Sequence, residues 1–134
     1  MLLKEWLAVA LGGMLGSLGR HAISTLCAAF GASMVPVATL VVNVLGCFFI
    51  GCLTQWSFHH HLSSAWWVVG MRVGLLGGLT TFSSFGLDVI RVGKGGHLGF
   101  SVALVALHLI LGLAAVGWGM QVAEAALTPR HGQG

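Results

Sequence analysis

Between Arg20 and Arg72 the chain carries no lysine, arginine, aspartate or glutamate. Soluble domains draw about a quarter of their residues from those four types, so a gap this long requires surroundings in which charge is costly. A transmembrane helix needs about 20 predominantly apolar residues, and the gap accommodates a span, a loop and most of another span. Across the 134 residues, 57% are hydrophobic and 7% charged, and the mean hydropathy is +0.96. The chain reads as an all-α integral membrane protein. A net charge of +3 would suggest nucleic acid as a partner of a soluble protein. Here the basic residues stand apart from one another and read as anchors at the membrane flanks, with no nucleic-acid role.

The apolar runs predict a single four-span membrane domain over residues 1–134, with spans at about 3–27, 36–56, 66–89 and 98–122. The first run is too long for a signal peptide and lacks a small-residue cleavage site, so it is expected to be retained. Gly12, Gly16 and Gly19 recur on one face of it, where another backbone can approach closely. Arg20, late in this span, either snorkels or lines a wet vestibule that attracts anions. A linker, Ala28 to Val35 with Gly31 and then Pro36 as breakers, leads to the second span. There Thr39, Asn43 and Gly46 share a face, and Asn43 brings donors and an acceptor near mid-membrane. That amide serves either an interhelical hydrogen bond or the lining of a pore. His59, His60 and His61 read as a solvated loop bracketed by interfacial Trp56, Trp66 and Trp67. Cys27, Cys47 and Cys52 have neither metal-site nor disulfide spacing and read as small packing residues. A link from Ile90 to His97 precedes the fourth span, in which His108 follows Leu104 by one turn. His108 is a proton-relay candidate or a neutral donor to a neighbouring helix. The tail from Glu124 to Gly134 reads as polar and disordered.

The third span is unusual. Its string Gly77-Gly78-Leu79-Thr80-Thr81-Phe82-Ser83-Ser84-Phe85 puts glycine, threonine and serine pairs where a continuous helix is poorly supported. The expectation is a broken helix in which Gly77 to Thr81 leave helical geometry. Irregular backbone at membrane depth is tolerated only where protein or a wet cavity covers it. Freed carbonyls there can hold a small cation, and freed amides and hydroxyls an anion.

Topology follows from the basic residues. With four spans both termini share a side, which gives Lys4, Arg72 and Arg130 on that side against Arg20, Arg91 and Lys94 on the other. The balance supplies no positive-inside bias. Such a chain can insert both ways, and two inverted copies can pair as an antiparallel dual-topology homodimer with their third spans across a two-fold axis.

Taken together, Gly12-Gly13 with Gly16 and Arg20, the segment Thr39-Leu40-Val41-Val42-Asn43-Val44-Leu45-Gly46, and the Gly77 to Phe85 string resemble the CrcB/Fluc family of fluoride ion channels. The resemblance covers the first three spans by motif and the fourth by length and position. It implies passive, fluoride-selective export through two antiparallel pathways in a multi-pass protein of the bacterial inner membrane. It also implies a structural sodium ion at the dimer axis, held by the backbone carbonyls of Gly77 and Thr80 from each subunit. The fluoride pathway it implies is lined by Asn43, Phe82 and Phe85, with Thr39, Thr81, Ser83 and His108 beside it and Arg20 in the vestibule. The chain departs from the family at Leu104 and His108, where polar side chains such as Tyr or Asn, and Ser or Asn, are common, and at Ala38, where Gly often stands. The chemistry agrees: a dry pore must replace fluoride's water with donors and positive edges rather than one trapping charge, and an aromatic ring has a positive rim.

Other readings remain open at this stage. A small dual-topology proton-coupled exporter needs a membrane-embedded carboxylate, yet the predicted spans put Glu5, Asp88 and Glu124 at or near their ends. A non-transporting assembly subunit accounts for the glycines but gives Asn43 and the threonine pair no purpose. No arrangement of nucleophile and base suggests an enzyme.

Overall fold

The computed structural model describes residues 2–29 and 35–128. Much of the expected linker before Pro36, including Gly31, and the end of the tail with Arg130 lie outside the described residues. Helix α1 covers Leu2–Ala29 and α2 Val35–His59. The third stretch is composite: α3 (Trp66–Val69), a π-helical segment (Gly70–Leu76), α4 (Gly77–Leu79) and α5 (Phe82–Lys94). Helix α6 covers Leu98–Leu127. Four helical stretches, Leu2–Ala29, Pro36–His59, Trp66–Lys94 and Leu98–Leu127, are long and apolar enough to cross a membrane.

Three boundaries differ from expectation. The second span was expected to end near 56 with His59 in a loop, but α2 runs on through His59. The link from Ile90 to His97 was expected to be loop, but α5 runs on to Lys94, its basic last turn suiting the negative end of the helix dipole. The polar tail was expected to be disordered from Glu124, but α6 continues through Leu127. Ala123, Ala125 and Ala126 favour the helix there despite the polar neighbours.

The bundle is built from two close helix pairs. Helix α1 packs along the π segment and α4, and α2 packs along α6. Bare glycine faces set both approaches. A Cβ on Gly78 would sit 2.7 Å from the Gly13 carbonyl oxygen, and one on Gly16 would strike the Leu75 carbonyl. Between α2 and α6, a Cβ on Gly119 would strike the Phe48 carbonyl. Dispersion between closely packed backbones replaces the hydrophobic effect, which lipid largely removes as a driving force between helices. Beyond Thr81 the chain changes neighbours, and α5 packs on α6 and α2. Buried Val42, Phe85 and Leu104 lie where these three helices meet, while leucines along α1 and α6 face outward.

Candidate functional site

Gly77, Gly78 and Leu79 are helical, so the expected departure from helix across Gly77 to Thr81 narrows to two residues. Thr80 (φ −79°, ψ 154°) and Thr81 (φ −151°, ψ 114°) have extended backbone between α4 and α5. Gly78 serves packing, lying bare against Gly13. Threonine tolerates extended backbone and caps helices well. The Thr81 hydroxyl accepts from the Ser84 amide at 3.1 Å, starting α5, and donates to the Ser84 hydroxyl at 3.0 Å.

Asn43 on α2 meets this point directly. The Thr81 amide donates to Asn43 Oδ1 at 2.7 Å, and Asn43 Nδ2 donates to the Thr81 carbonyl at 3.1 Å. Two carbonyls lose their usual partners as a result. In a continuous helix the Thr81 amide would serve the Gly77 carbonyl, and the Ser84 amide the Thr80 carbonyl. Here those amides go to Asn43 Oδ1 and Thr81 Oγ1. The oxygens of Gly77 and Thr80 are therefore released from helical bonding, the donor type a hard monovalent cation prefers.

Asn43, Gly77, Thr80, Thr81, Phe82, Phe85 and His108 line one open cavity of about 330 Å³. Phe82 is 81% exposed, whereas Phe85 is buried. The Phe82 and Phe85 ring centroids are 5.4 Å apart, and Phe85 lies 4.3 Å from the His108 ring. The other predicted residues lie apart from this cavity's wall. Ser83 is exposed, with its hydroxyl 3.2 Å from that of Thr81. Arg20 is half-buried on α1. Thr39 is buried and donates to Asp88 Oδ2 at 2.7 Å.

Two residues of consequence escape the sequence reading. Asp88 was placed at a span end; it is 5% exposed, inside α5, which continues beyond it. A buried carboxylate is thus present after all, and the spacing of Phe85 and Asp88, three residues apart, was the available signal. Arg72 was treated as a flanking charge; it lines the same cavity as Asn43 and Phe82. Its position within an apolar run was the signal. At a third position, Gly46 lies bare so that the Thr80 methyl can fit against α2.

Four apolar spans, with a hydrogen-bonded polar seam set among three of them, define a multi-pass membrane protein of the kind that offers a small ion a protein-lined site. Residues 7–120 match the family model described as CrcB-like protein, Camphor Resistance (CrcB), and the chain belongs to that family. It is 37% identical over 117 residues to a protein of Ruminiclostridium cellulolyticum named fluoride-specific ion channel FluC, covering 87% of this chain and 90% of the relative. A protein of the same name from Aeromonas salmonicida is 40% identical over 120 residues, 90% of this chain and 96% of the relative. Another, from Caulobacter vibrioides, is 37% identical over 128 residues, with 91% and 97% coverage.

Proposed function

We propose that this protein is a passive fluoride channel of the bacterial inner membrane, working as an antiparallel dual-topology homodimer. The observation that carries the proposal is the seam at Thr80 and Thr81, closed by Asn43 and walled by Phe82 and Phe85, in a chain whose relatives are named fluoride-specific channels. One hydrogen of the Asn43 amide is not used by Thr81 and is available to an anion. The aromatic rims of Phe82 and Phe85 supply weak positive edges, and Arg72 on the same cavity wall draws anions toward it. Such a route binds fluoride weakly enough to release it.

The released carbonyls of Gly77 and Thr80 fit a sodium ion shared with an inverted partner. When bound, the ion would supply fixed positive potential between the two pathways. This chain's part is to present those oxygens, which it does by diverting two amides elsewhere. A second copy would also cover Phe82, which is 81% exposed in the single chain.

The buried carboxylate of Asp88 favours a second reading, a proton-coupled exporter. The two separate in liposomes loaded with fluoride. Efflux that begins when a potassium leak is opened, with no proton gradient, supports the channel. Efflux that demands a proton gradient and stops in Asp88→Asn supports the exporter. Replacing sodium by a bulky organic cation on both sides should lower the thermal stability of the dimer, and no change would count against the ion.

A further inference from the structure

His108 stands on α6 with its ring against Phe85, centroids 4.3 Å apart and planes tilted by 38°. Its Nδ1 lies 2.9 Å from the Leu104 carbonyl oxygen. A carbonyl only accepts, so Nδ1 carries the proton. In the neutral ring Nε2 then bears a lone pair. That atom is shielded from solvent and has no hydrogen-bond partner, while the ring forms part of the wall shared by Asn43, Arg72 and Phe82. A lone pair is the wrong polarity for an anion. Taking up one proton from water turns it into a second N–H, which is the right one.

We infer that His108 is a proton-operated contact for the conducted anion: in its doubly protonated state Nε2–H donates to fluoride beside the Phe85 ring, and in its neutral state it repels the ion. This rests on the fluoride reading above and adds regulation by pH to it. The only bond made or broken is N–H, and the Leu104 carbonyl holds the ring in place through both states. Other groups face this region from the packed helices. Arg72 of the π segment is a fixed cation, Cys47 comes from α2, and Asp88 lies one turn beyond Phe85 on α5, hydrogen-bonded to Thr39. Helix α6 itself places no other acidic or basic side chain before Glu124.

The test uses the full-length protein in liposomes, with fluoride efflux driven through a potassium leak at equal pH on both sides. The leak of protein-free vesicles is subtracted at each pH. As pH is lowered from about 8 to about 5, efflux should rise by roughly tenfold or more, the effect of one added charge-assisted hydrogen bond. His108→Asn keeps an N–H donor but cannot titrate, so it should conduct at a rate independent of pH. A flat profile in the unaltered protein overturns the inference. So does a pH dependence that survives in His108→Asn, which would move the titration to Asp88 or Cys47. A readout apart from flux is the ¹⁵N NMR signal of His108, identified by its loss in His108→Asn. Fluoride should shift it toward imidazolium at constant pH, and indifference to fluoride would overturn the assignment. Absence of efflux at every pH would remove the channel reading itself, whereas efflux with a flat profile removes only the role of His108.

Discussion

Asn43 and Thr81 exchange two hydrogen bonds across 38 residues of sequence, the side-chain amide of one replacing a helical turn for the other. The exchange satisfies a peptide group that would otherwise be orphaned in an apolar interior. Asparagine suits the task because its side chain reproduces the donor and acceptor of a peptide. Of the two roles expected of Asn43, the hydrogen bond between helices is made, and the residue also borders the cavity.

Replacing Asn43 by Asp keeps an acceptor for the Thr81 amide but sets a carboxylate oxygen against the Thr81 carbonyl. A buried polar group left without its partner costs about 1–3 kcal/mol. Asn43→Asp should lower thermal stability in detergent and reduce fluoride efflux by about tenfold or more, since a neutral donor bordering the cavity is replaced by a carboxylate. Wild-type efflux in this variant would show that the seam does not need the amide.

Glycines separate into those that permit contact and those that do not. Gly78 faces the Gly13 backbone, whereas a Cβ on Gly117 meets nothing within 4 Å. Gly78→Ala should push α1 away from α4 and destabilise by about 1–3 kcal/mol. Gly117→Ala should be neutral or gain up to about 1 kcal/mol from helix propensity. Thermal unfolding of the two variants side by side checks the contrast, and equal effects would contradict it.

Asp88 accepts from Thr39 inside the bundle. Asparagine offers the same acceptor without charge, so Asp88→Asn should keep stability within about 1 kcal/mol. Efflux without a proton gradient should persist in that variant. Asp88→Leu removes the Thr39–Asp88 hydrogen bond and should cost about 0.5–1.5 kcal/mol, the net worth of one such bond. A complete loss of transport in the well-folded Asp88→Asn protein would favour proton coupling.

How much of this was legible in the residues depends on the range of the forces involved. The membrane class and the close-packing faces of Gly12 and Gly16 follow from local composition and helical periodicity, which sequence displays. The unusual polar string marked the third helical stretch for the same reason. What sequence placed imprecisely was the irregular backbone itself. Gly77 and Gly78 are weak helix formers, but both stay helical, Gly78 lying bare against α1, and the extended residues are Thr80 and Thr81. The burial of Asp88 was hidden because α5 extends to Lys94 through Arg91 and Gly93, residues that look like loop. Arg72 joined the cavity through the path of the π segment, which no periodicity announced.

Phe82 and Phe85 divide the last question between them. Phe85 is buried against His108, and Phe82 is 81% exposed in one copy of the chain. Truncating a buried phenylalanine costs about 3–5 kcal/mol, so Phe85→Ala should unfold at a distinctly lower temperature. Phe82 has little within its own chain to lose, and Phe82→Ile should leave the stability of the isolated subunit within about 0.5 kcal/mol, as for exposed positions generally. Its aromatic rim is gone, however, and with it a positive edge that an aliphatic side chain cannot supply. Fluoride efflux should therefore fall in Phe82→Ile although the protein remains folded. Crosslinking of cysteines introduced near Phe82 should still capture the dimer, which assigns the lost flux to the ring rather than to assembly. Unchanged efflux would mean that Phe82 is simply an exposed apolar residue and that the ion passes elsewhere.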